Sequence, residues 1–277
     1  MADPLLLDPI WLAGFALALL ATGAFAGLLA GLLGVGGGIV IVPVLYHLFT
    51  ALGIDEAVRM HVAVATSLAT IVPTSLVSAR AHHGRGAVDP ALLKRWGPAL
   101  LLGVVAGSAL GGQAKGAALT AIFGAVALLV SANMAFGREG ASLRDGLPGR
   151  AAQAAIAFVI GGFSTVMGIG GGTLSVPVLS LFRYPIRRAV GTAAAIGVVI
   201  SVPGALLFGA AGLGEAGRPP GSLGYVNLLG FAAIVPTTML LAPHGARLAH
   251  SIGTLWLRRA FAFFLFATAL RMLGSLL

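Results

Sequence analysis

Apolar residues fall in long runs along this chain, separated by short stretches that hold its charges, prolines and turn residues. The runs form ten segments in two sets of five. The first set covers residues 10–33, 39–52, 61–80, 92–111 and 114–136, and the second covers 151–167, 173–182, 189–211, 223–242 and 250–276. Most approach the roughly 20 residues needed to cross a bilayer as a helix. Segments 39–52 and 173–182 fall short, and each is predicted to be the return arm of a hairpin. The stretch 137–150 is the most polar in the chain and reads as a linker. The pattern predicts an all-α polytopic membrane protein with a first repeat over 1–136 and a second over 151–277. Each repeat has a broken hairpin (10–52 or 151–182) followed by three spanning helices.

Both hairpins turn at glycines. Gly34-Val35-Gly36-Gly37-Gly38 precedes Ile39-Val40-Ile41-Val42-Pro43-Val44-Leu45, and Gly168-Ile169-Gly170-Gly171-Gly172 precedes Thr173-Leu174-Ser175-Val176-Pro177-Val178-Leu179. Eight of the first twelve aligned positions are identical. Ala63-Val64-Ala65-Thr66-Ser67 likewise aligns with Ala189-Val190-Gly191-Thr192-Ala193, so the chain reads as an internal duplication. Glycine costs a helix about 1 kcal/mol per residue relative to alanine, so three in a row break it. In a bilayer the freed backbone groups must face protein, water or a ligand.

Composition narrows the class. Hydrophobic residues make up 58% of the 277 and charged residues 9%, far below the roughly 25% of soluble domains. There are no alternating ten-residue segments of the kind a transmembrane β-barrel shows. With no cysteine, disulfides and thiolate chemistry are excluded. The N-terminus carries Asp3 and Asp8 and no basic n-region, so residue 10 onward reads as a retained span. The net charge of +9 lies in loops, as membrane topology requires, and does not indicate nucleic acid.

If the chain alternates sides, one side receives eleven basic residues: Arg80, Arg85, Lys94, Arg95, Arg138, Arg144, Arg150, Arg183, Arg187, Arg188 and Arg247. The other receives four: Arg59, Lys115, Arg218 and Arg271. The richer side, including the 137–150 linker, is therefore expected to be cytoplasmic, with both termini external. An odd number of segments per half inverts the second repeat, so the glycine hairpins enter from opposite faces. Inverted-repeat transporters place their substrate where such broken helices meet.

The first-turn N–H groups of the return arms lack internal partners and carry the positive end of the helix dipole. Such ends suit an anion. The expected substrate-binding positions are Gly34, Gly36, Gly37, Gly38, Gly168, Gly170, Gly171 and Gly172, with hydroxyls from Thr66, Ser67, Thr173 and Thr192. Pro43 and Pro177 are expected to bend or end the return arms. Gly103, Gly107 and Gly111, like Gly27 and Gly31, sit at four-residue intervals and read as helix-packing faces, within or between protomers. All eight acids lie at the N-terminus or in loops, and the histidines have no metal-ligand spacing, so neither a metal nor another cofactor is expected. No G-x-S-x-G occurs, and catalysis is not expected.

Several of these motifs together resemble the TauE/SafE sulfite-exporter family of membrane transporters. They are the first glycine hairpin from Ala26 to Pro43, Ala65-Thr66-Ser67-Leu68, and Ser78-Ala79-Arg80-Ala81-His82-His83 with Gly86-Ala87-Val88-Asp89. The second glycine motif, Ser222-Leu223-Gly224-Tyr225-Val226-Asn227 and Gly245-Ala246-Arg247-Leu248-Ala249 complete the set. The resemblance implies a bacterial inner-membrane exporter of small sulfur-containing anions, sulfite or organosulfonates, working by alternating access. A coupling ion (H+ or Na+) and a homodimer are compatible with it. An anion channel or exchanger is the alternative on the same fold, and a non-transporting membrane scaffold is the third class. Ala193 stands where the first half has Ser67, so the halves are not chemically equivalent.

Overall fold

A computed structural model describes residues 9–33, 37–136, 143–248 and 254–276. Among the described residues ten helices follow one another: α1 Pro9–Leu33, α2 Gly38–Ala51, α3 Glu56–His83, α4 Pro90–Gln113, α5 Gly116–Phe136, α6 Arg150–Val166, α7 Gly172–Leu181, α8 Ile186–Ala211, α9 Leu228–Leu248 and α10 Thr254–Gly274. A short antiparallel pair, β1 Ser222–Leu223 and β2 Val226–Asn227, precedes α9. Segment 223–242 was expected to be helical from its start. Instead Gly221 and Gly224 adopt φ of 74° and 56°, which only glycine takes without strain, and the chain turns there before the helix begins. Asn227 Oδ1 then accepts from the Gly230 amide at 2.8 Å and caps α9.

Caps fix the other long helices similarly. Asp55 accepts from the Ala57 amide ahead of α3, and Asp89 accepts from the Ala91 and Leu92 amides ahead of α4, where Pro90 occupies the first turn. Four helices among the described residues, Glu56–His83, Gly116–Phe136, Ile186–Ala211 and Leu228–Gly245, are long and apolar enough to cross a membrane. Leu102, Leu110, Leu129, Leu206, Leu240 and Phe263 project outward, as lipid-facing side chains do, while Phe49, Trp96, Phe123 and Phe208 are fully buried.

The helix pairing repeats itself. α1 packs along α9 as α6 packs along α4; α3 crosses α8, and α5 lies on α10. Exchanging the two sets of five maps each of these pairs onto another or onto itself. The small-residue faces make the close approaches: a Cβ at Gly107 would lie 2.6 Å from the Gly162 carbonyl oxygen, and one at Gly27 would lie 2.7 Å from that of Thr238. Gly111 faces the Phe208 ring of α8.

Loops gather at two ends. At one, Asp55 lies against Gly217 and the Glu56 carbonyl lies against Gly116. At the other, the Leu143 amide donates to the Leu181 carbonyl at 2.8 Å, Gly146 donates to Phe182 at 3.2 Å, and Asp145 pairs with Arg183 at 3.1 Å. α2 therefore runs on to the first end and α7 to the second.

Candidate functional site

The two glycine breaks meet in the middle of the bundle. Gly37, at φ 77°, turns the chain from α1 into α2, with its backbone against that of Ala26. Gly38 opens α2 so close to the second break that a Cβ there would lie 2.5 Å from the Gly168 carbonyl oxygen, 2.7 Å from Ile71 Cδ1 and 3.0 Å from Ile169 Cα. Gly168, at φ 65°, is pressed on the backbone of Val64 in α3. Gly171 packs on Ile196 and on the Gly197 amide nitrogen of α8. Residues 37–43 and 167–173 are buried throughout. Gly34 and Gly36 lie outside the described residues.

The helical ladders start just beyond. The Val40 and Ile41 amides donate to the Gly37 carbonyl at 3.0 and 3.2 Å, so the Gly38 and Ile39 amides precede the first helical bond of α2. In α7 the Thr173 amide donates to Gly170 at 3.4 Å and the Ser175 amide to Gly171 at 2.9 Å. The prolines do not end the return arms: α2 runs past Pro43 to Ala51, and α7 past Pro177 to Leu181. Each proline is the sixth residue of its helix, with five helical residues ahead of it.

The predicted hydroxyls divide. Ser67 is at the junction: its Oγ donates to the Gly168 carbonyl at 2.7 Å and ties α3 to the second break. Thr66 and Thr192 face away, toward the ends. Thr66 Oγ1 accepts from the Asn227 amide at 2.8 Å, and Thr192 Oγ1 accepts from the Asp89 amide at 2.9 Å. These bonds hold the loop before α9 on α3 and the loop before α4 on α8. The sequence carries the signal for this pair, Gly86-Ala87-Val88-Asp89 against Gly224-Tyr225-Val226-Asn227, a further internal match. The Tyr184 hydroxyl also donates to Asp89 Oδ2. That bond holds the Asp89 carboxyl below the ordinary carboxylate range, while burial, and then the carboxylate, push the Tyr184 phenol up.

Buried hydroxyls of Ser164, Ser175 and Ser201 find no hydrogen-bond partner among the described residues. Such a group costs about 1–3 kcal/mol. All three lie on helices adjoining the second break. At the first end, a cavity of about 890 Å³ opens between Glu56, His61, Lys115, Glu215 and Tyr225. His61 Nε2 lies 3.0 Å from the Ala114 carbonyl, and its ring stacks on Tyr225 at 4.9 Å between centroids. The cavity does not include the glycine breaks.

Ten helices among the described residues, four of them long and apolar enough to cross a membrane, define an all-α polytopic membrane protein. The chain belongs to the sulfite exporter TauE/SafE family, whose family model matches residues 19–272. A probable membrane transporter protein of Haemophilus influenzae is 32% identical over 263 residues, spanning 93% of this chain and 98% of that protein. The probable membrane transporter protein YunE of Bacillus subtilis is 30% identical over 68% of this chain and 76% of its own. One from Methanocaldococcus jannaschii is 25% identical over 81% and 80%. No solved structure matches the fold. Membership makes the chain a multi-pass membrane transporter, a class distinct from enzymes.

Proposed function

We propose that this chain is a secondary transporter that exports small sulfur-containing anions, sulfite or organosulfonates, across a bacterial inner membrane by alternating access. Its two sets of five helices act as inverted repeats, and the helix pairing that survives their exchange supports this. The single observation that carries the reading is the contact of Gly38 with Gly168 and Ile169, which joins the N-terminal end of α2 to the break before α7. Two helix ends at one place supply N–H donors and positive dipole ends without a buried Lys or Arg. A substrate of one or two negative charges with several acceptor oxygens fits such a donor set. The buried contact between the breaks favours a carrier over a channel, since an anion enters only when they part. The arginine-rich end, with Arg183, Arg187 and Arg188, is then cytoplasmic.

Reconstituted in liposomes, the wild-type chain should exchange labelled sulfite for unlabelled sulfite or ethanesulfonate. Gly38→Ala places a Cβ against the Gly168 carbonyl and should cut that exchange at least tenfold in protein that still elutes as a folded species. Undiminished exchange by Gly38→Ala would remove the breaks from the mechanism, and no oxyanion flux by the wild type would remove the transport reading.

A further inference from the structure

Ser75 of α3 and Ser201 of α8 stand 126 positions apart, the same offset that relates Ala63 to Ala189. Both are buried, at 2% and 0% exposure, inside helices that cross each other. The register of that crossing is fixed at two points. A Cβ on Gly197 would lie 2.6 Å from Ser75 Oγ, and one on Gly204 would lie 3.4 Å from Leu68 Cδ1. Residues 197, 201 and 204 share one helical face. Ser201 therefore lies on the α3-facing side of α8, opposite the Ile71 turn of α3. Ile71 is the residue whose Cδ1 lies beside Gly38, and Gly197 is the residue beside Gly171. Each helix end thus has a serine of the other half one residue away: Ser75 across Gly197 from the α7 end, and Ser201 across the Ile71 turn from the α2 end.

We propose that Ser75 and Ser201 are the side-chain ligands of the transported anion, a repeat-related pair donating to its oxygens from opposite sides. This rests on the reading that the breaks hold an anion. Ser201 Oγ has no partner among the described residues. Ser175, one turn inside α7, is equally buried and equally unpartnered, and it stands where the first half has Ile41. The donors thus gather around the breaks, with one hydroxyl more on the α7 side. Two hydroxyls separated across a junction, together with amides at two helix ends, suit an anion with several acceptor oxygens. They suit a spherical halide less well, because its single acceptor centre must be shared by all the donors that an oxyanion spreads over several oxygens. The ligand class is accordingly an oxyanion with a pyramidal or tetrahedral head, which the sulfite and sulfonates of the proposed function satisfy.

Binding of sulfite and of chloride to the purified full chain, read as the anion-induced rise in melting temperature, tests this alongside counterflow of labelled sulfite in liposomes. Ser75→Ala and Ser201→Ala should each weaken sulfite binding about tenfold and the double variant more. The anion-free melting temperature of Ser201→Ala should stay level or rise, since no internal bond is lost. Chloride should not compete at concentrations where ethanesulfonate does. If the wild type binds sulfite and both single variants bind it as tightly, the serine assignment falls while the transport reading stands. If chloride displaces sulfite as well as ethanesulfonate does, the oxyanion class falls. A wild type that neither binds nor moves any oxyanion overturns both.

Discussion

The loop before α4 and the loop before α9 are built alike and differ at two of four positions, of which the last, Asp89 against Asn227, caps the helix. Gly86-Ala87-Val88-Asp89 docks on α8 and Gly224-Tyr225-Val226-Asn227 docks on α3, each through a backbone N–H given to a threonine hydroxyl. Each then caps the helix that follows with its Asx side chain. At the arginine-rich end the residue is an aspartate, solvated and bonded to Tyr184. At the other end it is Asn227, only 4% exposed, whose Nδ2 donates to the Pro220 carbonyl at 3.0 Å and to Ser222 Oγ at 3.1 Å. Burial explains the difference. A carboxylate in the position of Asn227 would lose its hydration and would face the Pro220 carbonyl, which can only accept, whereas the amide donates to it. What the two ends share is a neutral backbone-to-hydroxyl clasp; charge is added only where water and Arg188 accommodate it.

The clasp itself is the place to strike hardest. Gly191 lies where a Cβ would come within 2.5 Å of the Ala87 carbonyl oxygen, while its repeat counterpart, Ala65, already carries one. Gly191→Leu should therefore unseat the first loop from α8 at a cost of about 3 kcal/mol, the upper range for forcing a side chain against backbone. Chemical denaturation in detergent would measure it. A loss below about 1 kcal/mol would show that the loop is not held closely there.

The hydroxyls give the next largest effect and rank the two ends. Thr66→Val leaves the buried Asn227 amide without its acceptor and should cost about 2 kcal/mol. Thr192→Val exposes the Asp89 amide to water instead and should cost about 1 kcal/mol or less. The comparison breaks if the order reverses in the same denaturation measurement.

Much of the plan was readable from the runs of apolar residues, because a helix in lipid satisfies its own backbone and needs little tertiary help. The two glycine breaks were readable because glycine acts on its own chain. Thr66 and Thr192 were not. Their duplication marks a shared role, but sequence spacing alone does not tell a ligand from a loop clasp, since both call for a buried hydroxyl. The matching Asx caps were the signal that separates the two. Residues 223–227 read as helix because Leu223, Tyr225 and Val226 are apolar, whereas the positive φ of Gly221 and Gly224 is a local backbone fact that hydropathy does not carry. Ser75 and Ser201 were hidden for a different reason: each lies one residue away from the break of the opposite half, and that crossing exists only once α3 and α8 are packed together.

The smallest effect is one of pH, and it sharpens the contrast between the ends. The folded carboxyl of Asp89 is held below its ordinary range, chiefly by the Tyr184 hydroxyl. A depressed carboxyl contributes stability above its unfolded pKa, about 3.9, and loses that contribution as pH falls through the folded value. The α4 clasp should therefore weaken only below about pH 4, while the Asn227 clasp has no group that titrates there. The chain has seven other acids, so the informative quantity is the difference between wild type and Asp89→Asn. Their melting temperatures should be offset by a constant amount from pH 5 to 7 and converge as pH drops toward 3. Tyr184→Phe removes the donor and should move that convergence upward, toward the ordinary carboxyl range, without altering the Asn227 end. Curves that stay parallel to pH 3 would mean that Asp89 serves its helix as a neutral cap would, and the two ends would then differ in shape alone.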